Sequence, residues 1–221
     1  MKRPPACHPL AALLMLGFLL AGCSRNVSMN ANDPKPFDPQ TLDRGSAKLN
    51  PTPQQAYEIT LTIDNAPGPF AVVEGIAQFD VTNEGECGYI DPFAGVPHRI
   101  TSSEPFELNK ISENEYRGTL YLDYMQDDAY YDRAVCHWEF TQARARLRAT
   151  ESPDDTRFLP RLDRDELMAQ QSRTTYFWRG GYPRDEIDNS PDNGTINPDR
   201  VAPEIRDDLF SITLNARKVS P

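Results

Sequence analysis

Apolar and polar residues alternate with a period of two in several separate stretches of the chain. Tyr57, Ile59, Leu61 and Ile63 alternate with Glu58, Thr60, Thr62 and Asp64. Successive side chains leave a strand on opposite faces, so this pattern predicts a half-buried strand. Asn65-Ala66-Pro67-Gly68-Pro69 is a turn signal, and after it Val73, Gly75, Ala77, Phe79 and Val81 form a second such run. Gly118, Leu120 and Leu122 continue the theme, with Arg117, Thr119, Tyr121 and Asp123 on the other face. The longest predicted strand covers 134–149. There Cys136, Trp138 and Phe140 hold one phase, while Ala143, Ala145, Leu147 and Ala149 hold the other. A slip of one residue near Gln142 predicts a β-bulge or bend. Arg144, Arg146 and Arg148 share the face opposite the alanines. Phe210, Ile212, Leu214 and Ala216 give a last strand. Only 163–171 reads as helical, with Asp165 and Glu166 in its first turn. There is no internal repeat. The expectation is a mainly β fold, an antiparallel β-sandwich or open barrel with one short helix.

The periodicity stops upstream of Tyr57, and two other segments replace it. Lys2 and Arg3 precede an apolar run from Pro9 to Leu20 that is too short to span a bilayer, which predicts a cleaved export signal over 1–22. Its last residues, Leu20-Ala21-Gly22-Cys23, match the lipobox of bacterial lipoproteins. In such proteins cleavage precedes the cysteine and its sulfur carries lipid, so Cys23 is the expected lipidation site, with palmitate among its acyl chains. Ser24 stands where Asp would favour inner-membrane retention, which points to the outer membrane. Residues 23–55 then form the lipidated Cys and a Pro-rich flexible tether, with Pro34, Pro36, Pro39, Pro51 and Pro53. A single globular domain is expected over 56–221.

Charge and cysteines narrow the chemistry. The net charge is −10, and losing Lys2 and Arg3 with the signal takes it to −12. A chain this acidic argues against nucleic acid as a partner, since phosphate binding needs clustered cations. By the same composition it is ill-suited to lying on anionic lipid headgroups. With Cys7 in the signal and Cys23 lipidated, Cys87 and Cys136 remain, and an exported compartment predicts their disulfide.

No Gly-x-Ser-x-Gly elbow, His-Glu-x-x-His helix or Ser-x-x-Lys occurs, so no enzyme, metal or cofactor is expected. Two segments stand out instead. Asp123–Asp132 carries four aspartates and three tyrosines, without the Asp-x-Asp-x-Asp-Gly spacing of a calcium loop. Residues 174–189 hold Tyr176, Phe177, Trp178 and Tyr182, the Gly180-Gly181 pair and an acidic run, which reads as a long loop. Tyr, Trp and Arg dominate binding hot spots. The expected partner contacts are Tyr130, Tyr131, Trp178, Tyr182, Asp185 and Glu186.

Gly118-Thr119-Leu120-Tyr121 through Tyr130-Tyr131, Cys136-His137-Trp138-Glu139, and Thr175-Tyr176-Phe177-Trp178-Arg179-Gly180-Gly181-Tyr182-Pro183 together resemble a family of small proteobacterial lipoproteins. Many of these accompany antibacterial effectors, notably type VI secretion phospholipases. The resemblance implies an immunity protein: a periplasm-facing inhibitor that binds the cognate effector and blocks its active site. A structural or assembly lipoprotein of the envelope would share the anchor, tether and β domain. A carboxylate-dependent hydrolase is the enzymatic alternative.

Overall fold

The computed structural model describes residues 47–90, 93 and 95–220. The expected signal, Cys23 and most of the tether lie outside the described residues. The first sheet is antiparallel. From edge to edge it holds β4 (Asn109–Lys110), β5 (Glu115–Tyr121), β1 (Ala56–Asp64), β11 (Leu209–Lys218) and β9 (Ser172–Trp178). The second sheet holds β10 (Pro191–Asp192), β7 (Arg157–Phe158), β6 (Trp138–Arg148), β2 (Val72–Val81) and β3 (Thr101–Phe106), and β8 (Arg161–Asp163) also pairs with β6. Two separate sheets make this a mainly β sandwich rather than a closed barrel, as the alternation predicts. Three short helices complete it: α1 (Glu84–Cys87), α2 (Arg164–Met168) and α3 (Pro203–Arg206).

The core lies between the sheets and is built by the predicted phases. Ile59, Leu61 and Ile63 of β1 and Ile212, Leu214 and Ala216 of β11 face Ala77, Phe79, Phe140, Ala143, Ala145 and Leu147. The predicted slip is a β-bulge: Gln78 pairs with Gln142 and Phe79 with Phe140, so Thr141 is the extra residue. The bulge lets Phe140 and Ala143, three positions apart, both point inward. Cys87 and Cys136 are bonded, with S–S 2.04 Å, and the bridge ties the end of α1 to the segment before β6.

Several elements differ from the sequence reading: α1 and α3 lie outside the one predicted helix, and the strand predicted over 134–149 is the shorter β6. The helix is only Arg164–Met168; Asp163 and Glu166 form its capping box, and Leu167 is buried in the core. β3 carries no apolar alternation because it buries Ser102 and Glu104, whose side chains bond to each other at 2.5 Å. Residues 174–178, read as loop, are the second half of β9. Only Thr175 and Phe177 of that strand are buried, so its pattern is weak. The folded region also begins before residue 56. Leu49 bridges Met125, Asn50 N–H donates to Tyr124 O, and the Asp123 carboxylate accepts the N–H groups of Gln54 and Gln55 at 2.8 and 2.9 Å.

Candidate functional site

The two aromatic segments sit at opposite ends of the sandwich. Trp178 pairs with Leu209, and Ser211 pairs with Asp64, which puts Trp178 at the far end of β1. Tyr121 pairs with Ala56, so the loop that follows β5, with Tyr130 and Tyr131, leaves from the near end. Nine residues of β1 separate them, roughly 30 Å at strand rise.

At the Trp178 end an aromatic cluster closes the core. Phe158 meets Phe70, Phe177 and Phe210 edge-on, with ring centroids 5.7, 5.5 and 5.2 Å away. Tyr182 lies over Phe70 at 5.5 Å, and its hydroxyl donates to Pro69 O at 2.5 Å. Burial, then the Asp155 charge, raises the Tyr182 hydroxyl above the usual tyrosine pKa. Tyr182 is therefore a cap of the core. Strand alternation sends the neighbouring Phe177 inward and Trp178 outward, where 42% of it is exposed. The indole lies over Gly180: a Cβ there would stand 2.2 Å from the ring. Glycine is the residue that permits this approach.

The chain beyond Tyr182 is tied down against β7. Thr156 N–H donates to Pro183 O, Asp185 N–H to Thr156 Oγ1 at 2.9 Å, and Asn189 N–H to Asp154 O. Asp185 is half-buried, with one carboxylate oxygen accepting from Glu186 N–H at 2.7 Å, while Glu186 itself is exposed. Arg184 pairs with Asp188 at 3.2 Å. Nearby, burial raises the Asp192 carboxyl pKa, the Gly194 N–H opposes that shift, and Asp185 adds to it. The result is an exposed indole on the first sheet and an acidic segment held against the second.

At the other end Tyr130 is half-buried against the disulfide, and its hydroxyl donates to Gln126 O. Tyr131 is 40% exposed. Lys48 Nζ pairs with Asp128 at 2.6 Å, which lowers the Asp128 pKa through the hydrogen bond first. Asp127 bonds His137 Nδ1 at 2.7 Å and accepts the Trp138 N–H. A cleft of about 660 Å³ opens beside it, lined by Asp123, Asp127, Trp138, Glu139 and Arg164 among others. Among the described residues no three His, Cys, Asp or Glu side chains converge as a metal site requires. Nor is any helix there long and apolar enough to cross a membrane.

The structure thus puts Trp178 on the outer side of β9, Tyr182 against the aromatic cluster just after it, and Asp185 and Glu186 beside Thr156 at the second sheet, while Tyr130 and Tyr131 stand at the other end. Sequence reading missed the docking of 47–55, whose signal was the apolar pair Ala47 and Leu49 inside a polar stretch. Comparison of the chain with protein-family models, with curated proteins and with solved structures finds no match.

Proposed function

We propose that the chain is a lipid-anchored, periplasm-facing protein that binds and neutralises an antibacterial effector of the lipase type. It acts by covering the effector's active site. One observation carries the binding half of this reading: Trp178 projects from the end of β9 packed over Gly180, with 42% of it exposed. Trp is a residue type that dominates binding hot spots, and a side chain already held in place limits the ordering cost of association. The membrane half rests on the lipobox at Cys23, which confines the inhibitor where a lipid-attacking enzyme works.

The test is a pull-down under oxidising conditions with the unlipidated chain from Ser24 onward, using the product of the adjacent gene as prey. The prey's lipase activity is assayed with and without the chain. Binding that abolishes activity, and that weakens in Trp178→Ala, supports the proposal. No binding by a folded, disulfide-bonded chain sinks it and favours a structural role in the envelope.

A further inference from the structure

Summed over the chain the charge is −10, yet the outer face of β6, β7 and β8 gathers five arginines, beside Glu74 and Asp80 of β2. Arg144, Arg146 and Arg148 alternate along β6 with the buried Ala143, Ala145 and Leu147, so all three side chains lie on the outer face. Register places Arg161 of β8 directly opposite Arg144. Phe158 pairs with Leu147 on the inner face, which leaves Arg157 on the outer face beside Arg148.

These cations are poorly neutralised. Arg146 is paired with Glu74 at 2.5 Å. Arg161 has Asp163 at 3.6 Å, but that carboxylate is already held by Arg173 at 2.6 Å. Arg148 and Arg157 donate to the carbonyls of Ser152 and Asn189, both at 3.2 Å, rather than to carboxylates. The Nε atoms of Arg144 and Arg148 are buried with no hydrogen-bond partner. Like charges directly opposite on a sheet repel. Burial, then repulsion from Arg161, lowers the Arg144 pKa, with Asp80 partly offsetting.

The occupant that suits this face is planar and anionic. Arg146 and Arg161 line two separate clefts and share neither with the other arginines of this face, so the charges are spread along the sheet rather than gathered into one pocket for a small anion. Neighbouring strands are about 4.8 Å apart and alternate residues about 7 Å apart, so the array extends in two directions. Guanidinium forks match phosphate oxygens bidentately. Repulsion from the acidic remainder is screened beyond about 8 Å at physiological salt, so local contact decides. We propose that the outer face of β6, β7 and β8 docks on the phosphodiester headgroups of an anionic phospholipid layer through Arg144, Arg148, Arg157 and Arg161. Such docking is independent of toxin binding.

Neutron reflectivity of the full chain on supported bilayers measures where the domain sits. On bilayers containing phosphatidylglycerol the protein layer is expected to lie against the headgroups. It should stand off, or be lost, on phosphatidylcholine alone, at high salt, and in Arg144→Gln/Arg148→Gln/Arg161→Gln. Near-UV circular dichroism verifies that the variant is folded, and the lipid comparison on the parent chain needs no variant. An equal stand-off on both bilayers, or contact kept by the triple variant, overturns the proposal and leaves the face to an acidic protein surface. Absence of any layer on phosphatidylcholine speaks against the lipid anchor, while the phosphatidylglycerol arm still decides the docking.

Discussion

Two aromatic residues four positions apart do opposite work. Trp178 is outside and Tyr182 is half-buried, set edge-on to Phe70 with its hydroxyl on Pro69. Trp178→Ala should change stability by no more than about 0.5 kcal/mol, as surface substitutions do, while removing most of the affinity for the partner. Tyr182→Ala should lower unfolding stability by about 3 kcal/mol whether or not a partner exists, because it uncaps the aromatic cluster. Urea denaturation beside a binding assay separates the two. Both residues looked alike in the sequence, since what buries Tyr182 comes from Phe70 and Pro69, far away along the chain. Asp192 makes a second prediction at this scale. Its folded pKa is raised, so the folded state holds the proton more tightly. That contribution is fully present below the unfolded carboxyl pKa, about 3.9, and is lost as pH rises through the folded value. Asp192→Asn keeps an acceptor for the Gly194 N–H at 2.8 Å without the charge. It should be more stable than the parent at neutral pH, with the gain vanishing in acid; urea midpoints across that range would show it, and a gain independent of pH would refute it.

Among the elements, legibility follows what each strand buries. β1, β2, β6 and β11 bury apolar side chains at every second position, so their pattern is plain, and the bulge at Thr141 was visible as a phase slip. β3 instead buries a Ser–Glu hydrogen bond, which no hydrophobic pattern can announce. The disulfide joins positions 49 residues apart, and loop-closure entropy puts its contribution at about 4 kcal/mol. The Cys87→Ala/Cys136→Ala variant should lose roughly that much in urea denaturation; a loss near zero would mean that α1 is held by the sheet alone. The docked segment 50–55 is held by backbone bonds to Tyr124 and Leu122 and by the Asp123 carboxylate, which accepts two backbone N–H groups. Hydrogen bonds to a charged group contribute about 1.5–3 kcal/mol. Asp123→Ala should therefore destabilise the domain by about 2 kcal/mol and speed hydrogen exchange at Gln54 and Gln55 ahead of β1.

For the molecule as a whole, composition gave a sum where the fold supplies a distribution. A net charge of −10 argues against anionic surfaces, yet the sandwich gathers five arginines on one face and sets Asp185, Glu186 and Asp188 at one end. Nor could the sequence say that its two aromatic segments diverge, because the strand pairing that separates them joins residues from the two halves of the chain. That separation constrains any partner. A standard interface covers about 800 Å² on each protein, a patch roughly 30 Å across. The two ends are about that far apart along β1 and the loops leave in opposite directions, so one rigid partner can grip one end only. The Trp178 end has the exposed indole and the backbone tied to β7, whereas Tyr130 is engaged with Gln126 and the disulfide. Trp178→Ala/Glu186→Ala should then weaken partner binding at least about tenfold, which is about 1.4 kcal/mol, while Tyr130→Phe/Tyr131→Ala leaves it within about threefold. The reverse ranking in calorimetry would move the interface to the disulfide end, beside the docked segment 47–55.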